Sequence, residues 1–343
     1  MIVRTPLADL LKGIAVLLMV QVHVLELFAT NEIYKSHLGK ILLFIGAAPV
    51  APVFSIVFGY FIVSSKKSKT ELIVRGLKLI GLGMLLNIAL NLNLIISVTK
   101  GNLQIDLLPF IFGFDILHFA GISSIIIALL KNILQQHILF LIGCIICAAL
   151  LGHGLLNFVP QTIFLKYFLS IFYGSCEWSY FPIFPWIAYP LTGIAFYTLK
   201  EQSGSVLLKV VNQKLLLGIL FLLFFIFTIK YAVTISSDLP SYYHHGIIFY
   251  LWTIVFIAFY SIFMNEIGNK LGHNFIMKYF NWLGENVTLI YVIQWILIGN
   301  IATEIYKTVL QPKHLFYYYL VVMILSSTCA YLFLKLRVKL NRV

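Results

Sequence analysis

Apolar stretches of roughly 20 residues follow one another from Leu7 to Leu336, parted by short polar connections. A helix needs about 20 consecutive, mostly apolar residues to cross a bilayer. The pattern predicts ten spans: 7–28, 39–64, 72–98, 115–131, 136–152, 181–200, 214–235, 246–264, 285–303 and 315–337. The fourth and fifth are short and can lie partly in the interface. Pro49 and Pro52 in GAAPVAPVF should kink or break the second span, because proline lacks the backbone donor and clashes with the preceding turn. Irregular backbone at that depth is tolerated only where it lines a protein interior. The longest connection, 153–180, is rich in aromatics, and its TIFLKYFLSIFYG stretch suits an amphipathic helix in the interface plane. No long polar linker and no repeat divides the chain, so residues 1–343 are expected to form a single transmembrane domain.

Composition sharpens this reading. Of 343 residues, 61% are hydrophobic and only 10% charged, against about one-quarter charged in soluble domains. The mean hydropathy is +0.98. The expected fold class is therefore all-α, a polytopic helical membrane protein with about ten transmembrane helices. The first apolar segment is long for a signal-peptide core and is expected to remain as a helix. Cys144 and Cys147 form a C-x-x-C pair inside an apolar run and are read as small buried residues. No metal is expected.

The net charge of +12 would suggest nucleic acid in a soluble chain. Here the basic residues sort by loop. With the N-terminus inside, all Lys and Arg except Lys35, Lys40, Lys100, Lys166, Lys230, Lys307 and Lys313 fall on the cytoplasmic side. The positive-inside rule then places both termini in the cytoplasm, and the charge needs no nucleic acid.

Ionisable side chains inside spans are costly and mark function by default. In the first span, Asp9, Lys12 and His23 share an arc of about 60° at 3.6 residues per turn. Asp9 and Lys12, three apart, are expected to pair as a structural unit. His23 lies about 21 Å deeper along the helix. Asp115 and His118 in FDILHFAG fall at the external end of their span, in the same leaflet as His23, so His23, Asp115 and His118 form a candidate catalytic group, with the carboxylate orienting an imidazole base. Asn87, Asn91, Asn286, Tyr291 and Trp186 are candidate cavity or substrate residues, with Thr288 and Gln294 beside them in LGENVTLIYVIQW. Such residues equally serve as interhelical hydrogen-bond partners. Trp178, Trp186 and Tyr189 can offer a stacking platform for a sugar, or simply belong to an interfacial aromatic belt. On the cytoplasmic side, Lys66, Lys67 and Lys69 stand next to Arg75 and Lys78; Lys66, Lys67, Arg75 and Lys78 suit the phosphates of a nucleotide cofactor, although the positive-inside rule alone accounts for the three loop lysines.

These residues carry a resemblance. Arg4-x4-Asp9-x2-Lys12-Gly13 followed by an apolar run to His23 resembles the opening of integral membrane sugar acyltransferases, both the acyltransferase-3 group and the heparan-alpha-glucosaminide N-acetyltransferase group. FSIVFGYFIVSSKKS (Phe54, Gly59) is similar to their second-helix motif, and ELIVRGLKLIGLGMLLN (Arg75, Asn87) to the third-helix motif of the heparan-type group. FPIFPWIAYPLTGI (Pro185, Trp186, Gly193) and LGENVTLIYV (Gly284, Asn286, Tyr291) resemble later segments.

The resemblance implies a membrane-embedded transferase that moves an acetyl group from cytoplasmic acetyl-CoA to a hydroxyl or amine of a sugar on the far side, an extracytoplasmic or lipid-linked glycan. It implies His23 as general base or acetyl carrier, acetyl-CoA as co-substrate, and a multi-pass protein of the bacterial inner membrane, with a homo-oligomer as one possible assembly. A proton-coupled transporter using His23, Asp115 and His118 as a relay is the competing expectation.

Overall fold

The computed structural model describes residues 6–158, 160–174, 176–211, 213–272 and 274–340. The chain runs through α1 (Pro6–Phe28), α2 (Asn31–Lys35), α3 (His37–Ala47), α4 (Ala51–Ser64), α5 (Lys69–Leu90) and α6 (Leu92–Thr99). It continues through α7 (Leu108–Ile111), α8 (Ile116–Gln136), α9 (Ile138–Gly154), α10 (Ile163–Leu169), α11 (Ile183–Trp186) and α12 (Ala188–Val211). The remainder is α13 (Lys214–Ser236), α14 (Leu239–Tyr243), α15 (Ile247–Leu271), α16 (Phe275–Glu285), α17 (Val287–Ile305) and α18 (Pro312–Leu340). The all-helical expectation holds, and this is a polytopic helical membrane protein.

Eight segments among the described residues are long and apolar enough to cross a membrane: α1, α3 with α4 (His37–Ser64), α5, α8, Leu215–Ser236 of α13, α15, α17 and α18. The fourth expected span, read as short, is a full 21 residues in α8. The fifth, α9, has 17, about 25 Å of helix and shorter than the hydrocarbon core. Large apolar side chains such as Leu139, Phe227 and Phe275 stand exposed, as lipid requires and water would penalise. Cys147 is among the exposed residues and Cys144 is half-exposed. The expectation that both are buried is corrected: α9 turns part of its surface outward.

The breaks have local causes. The second span parts at Ala48–Val50, between α3 and α4, where Pro49 and Pro52 stand. The third, read as one helix over 72–98, breaks at Asn91, whose side-chain amide donates to the Asn87 carbonyl at 2.9 Å. Asn286 does the same between α16 and α17, donating to the Trp282 carbonyl at 2.8 Å. Asparagine competes with the helix ladder through such local bonds. Among the described residues of the 153–180 connection, the helix after Gly154, the end of α9, is Ile163–Leu169, N-capped by Thr162.

The chain divides into two units. The first comprises Ala51–Leu85 and Leu108–Phe263. There α4 packs on α12, and α9 packs on α11 and α12. Gly59 faces the Pro190 backbone and Gly193 faces the Ile56 backbone so closely that a Cβ on either would overlap a carbonyl oxygen. Around His245 an aromatic cluster closes the unit. His245 Nδ1–H donates to the Tyr242 carbonyl at 2.7 Å, and Nε2 accepts from the Tyr189 hydroxyl at 2.8 Å. Burial pushes this imidazole down to about 4, from an ordinary 6.5.

A pH dependence follows from linkage. Between pH 4 and 6.5 the unfolded chain holds a proton on His245 that the folded chain excludes. Stability from this site is therefore full above about pH 6.5 and falls as pH drops toward 4, by up to about 3 kcal/mol. Thermal melts of the detergent-solubilised protein across that range should slope downward toward acid, with a shallower slope in His245→Phe.

The second unit comprises Thr5–Val50, Leu86–Leu107 and Met264–Val343. Its centre is α1, which contacts α3, α16, α17 and α18 and buries Val16, Val20, Leu25 and Phe28. The tightest approach is α1 on α16. A Cβ at Gly13 would overlap the Phe280 carbonyl, and one at Gly284 the Asp9 carbonyl. Small residues let membrane helices meet backbone to backbone. Gly284→Ala should therefore cost about 1–3 kcal/mol by overpacking. Gly81→Ala, in α5 with open space around it, should be neutral or stabilising, since alanine is the better helix former. Thermal shift of the two purified variants checks the contrast.

Candidate functional site

At the start of α1, Lys12 Nζ lies 2.8 Å from Asp9 Oδ1. The pair sits at the backbone contact of α1 with α16, where Gly284 faces the Asp9 carbonyl and Gly13 follows Lys12, within the second unit. Deeper on the same helix, His23 Nδ1 is 3.2 Å from Gln294 Oε1 on α17. Its ring lies against Trp295, with centroids 4.1 Å apart and planes at 33°. Tyr291, one turn before Trp295 on α17, meets that indole edge-on at 6.5 Å. Gln294 is fully buried. Its Nε2 and the Trp295 Nε1 are both buried with no hydrogen-bond partner among the described residues. Burying an unpaired donor costs about 1–3 kcal/mol, so this corner holds unspent hydrogen-bonding capacity beside an imidazole.

Asp115 and His118 belong to the first unit, where they form the N-terminus of α8. Asp115 Oδ1 accepts from the Ile116 N–H at 2.6 Å, and the Asp115 N–H donates to His118 Nδ1 at 3.3 Å, a capping box. These contacts satisfy donors that a helix start otherwise leaves unpaired. His118 is buried, its ring packed at Gly83, and its Nε2 has no partner among the described residues. The spacing Asp115-x2-His118 thus has a local structural job, and within its own unit His23 contacts Gln294.

Trp186 and Tyr189 are fully buried in the His245 cluster, and the Trp186 indole N–H donates to the Tyr243 carbonyl at 2.7 Å. Their faces are covered by packing, which corrects the stacking-platform expectation. Trp178 stacks on Tyr167 at 4.7 Å. Asn87 and Asn91 are buried near the α5–α6 break, and the side-chain amides of Asn91 and Asn286 donate to backbone carbonyls at their helix breaks.

Of the expected basic group, Lys67 lines a pocket, with two further lysines beside it. Lys67, Lys69 and Lys131, with Ala128, Leu129 and Asn132, line a pocket of about 360 Å³ in the first unit. Lys131 donates to the Ser65 carbonyl at 3.2 Å, tying the end of α8 to the loop before α5. Lys66 and Lys78 are exposed and outside the lining. The Arg75 guanidinium lies over the Phe58 ring at 5.5 Å. Sequence reading placed Lys69 in the loop cluster beside Lys66 and Lys67 and missed Lys131 as its neighbour. The available signal was topological: Lys69 and Lys131 both sit at cytoplasmic ends of spans under the charge assignment, and a short connection can bring such ends together.

A family model described as heparan-alpha-glucosaminide N-acetyltransferase, catalytic, matches residues 4–225, well over half the chain. The chain belongs to this family. No curated protein and no solved structure matches it. Membership makes it an acetyltransferase-type integral membrane protein. The matched region contains the Asp9–Lys12 pair, His23, the lysine pocket, Asp115, His118 and Trp186. Gln294 and Trp295 lie beyond it.

Proposed function

We propose that the chain transfers an acetyl group from cytoplasmic acetyl-CoA to a hydroxyl or amine of an extracytoplasmic or lipid-linked sugar, in a bacterial inner membrane. The observation that carries this reading is His23. It is an imidazole in a membrane-spanning helix, held by a buried amide and an indole within a family of acetyltransferases. An intramembrane histidine so held is expensive and is retained for chemistry.

In the proposed step, His23 takes the proton from the acceptor O–H or N–H, and the acceptor atom bonds to the acetyl carbon. The C–S bond then breaks, and CoA leaves as a thiolate that takes up the same proton. In a carrier route, His23 nitrogen first bonds the acetyl carbon as the C–S bond breaks and CoA leaves as a thiolate; the acceptor atom then displaces the imidazole from the acetyl group, and the acceptor proton goes to the thiolate. Lys67, Lys69 and Lys131 suit the donor phosphates, because point charges in a basic pocket attract polyphosphate without demanding one geometry.

The test is to compare surface polysaccharide from cells with and without the gene by mass spectrometry. Acetyl-sized losses in the deletion strain, restored by the intact gene, are expected. Identical polysaccharides, together with no acetyl-CoA consumption by purified protein offered amino sugars and neutral sugars, would overturn the reading.

A further inference from the structure

His23 can act as a base only through a bare ring nitrogen, and a neutral imidazole has one bare and one protonated nitrogen. Which is which is set by the partner of the other nitrogen. That partner here is Gln294 Oε1, 3.2 Å from Nδ1. An amide oxygen only accepts, so the contact requires Nδ1–H and leaves Nε2 bare. Gln294 is itself fixed: it is fully buried on α17, and the neighbouring Trp295 ring lies against the imidazole at 4.1 Å. Its remaining amide group, Nε2, is buried without a partner. A glutamine kept there for packing alone would be better replaced by an apolar side chain, since the orphaned donor is a cost.

We propose that Gln294 is the positioning residue of His23, holding the imidazole as the Nδ1–H tautomer so that Nε2 is free to take the acceptor proton. The proposal rests on His23 being the base. The orphaned Gln294 Nε2 is then a donor reserved for an oxygen of the acceptor sugar, so one amide orients the base and greets the substrate.

Two substitutions separate this from packing. Gln294→Met keeps length and volume but removes the acceptor oxygen, and Gln294→Glu keeps the acceptor oxygen. The Met variant should lose about 10–100-fold in kcat, the range for loss of a ring-orienting partner, with the KM for acetyl-CoA unchanged. The Glu variant should recover most of the kcat and show a raised KM for the acceptor, having lost the donor. A packing role predicts the reverse order, with Met the better tolerated, and that order would overturn the proposal.

The tautomer is read directly by 15N NMR of histidine-labelled protein, with the His23 ring signals assigned by their loss in His23→Asn. An Nε2–H tautomer in the wild type would overturn the proposal whether or not any Gln294 variant folds. Full activity in His23→Ala would remove the base reading and this proposal together. An inactive His23→Ala beside a fully active Gln294→Met would remove this proposal alone.

Discussion

His23→Ala is expected to lower acetyl transfer by about 10²–10⁴-fold, the contribution of a positioned general base. The variant should still elute as a monodisperse detergent complex and still bind CoA. Its neighbours on α1 explain why. The core of the second unit is built by Val16, Val20, Leu25 and Phe28, and the backbone contact with α16 is made at Gly13 and Gly284. His23 contributes a half-buried ring on Trp295 and one hydrogen bond, so its truncation removes chemistry before it removes the fold. Initial rates with acetyl-CoA and a sugar acceptor, alongside size-exclusion profiles, check this. A loss of activity accompanied by aggregation would instead assign His23 to packing. Trapping of radiolabelled acetyl on the wild type without acceptor, and not on His23→Ala, would select the carrier route over direct attack.

The second large effect is expected on the donor side. Replacing Lys67, Lys69 and Lys131 together by alanine should raise the KM for acetyl-CoA about 10–100-fold while leaving the KM for the acceptor near its wild-type value. Charged hydrogen bonds are each worth about 1.5–3 kcal/mol, and even one such loss is about a tenfold change or more. Lys78→Ala should have little effect, because Lys78 lies outside the pocket lining. Steady-state kinetics with each substrate varied in turn separates the two. Equal rises in both KM values would point to a distorted fold instead of a lost phosphate contact.

The hydrophobic pattern was enough to find the membrane class and the long helices, because runs such as Leu7–Phe28 have no soluble alternative. The break near Pro49 and Pro52 was legible for the same reason, since proline's effect is local. The Asn91 break was not, because an asparagine in an apolar run reads as a polar spot until its amide is seen on the Asn87 carbonyl. The amphipathic α16 escaped as well: at 11 residues it is too short for a span, yet it supplies the closest partner of α1. Motif glycines were visible as letters, and only packing shows that Gly13, Gly59, Gly193 and Gly284 mark backbone contacts.

For the candidate site the limit was adjacency. Helical pitch gives the depth of His23 but not its neighbour, so Asp115 and His118 were legible as a carboxylate–histidine spacing while the contact of His23 with Gln294 was not. A glutamine in LGENVTLIYVIQW carries no motif of its own. Its meaning comes from the imidazole opposite.

The most direct measurement uses sealed proteoliposomes with a sugar acceptor trapped inside and acetyl-CoA supplied only outside. The account predicts acetylated acceptor accumulating in the lumen with the wild-type chain, and almost none with His23→Ala. Acetyl-CoA left unconsumed by the wild type, or luminal product formed equally well without the His23 imidazole, would contradict it.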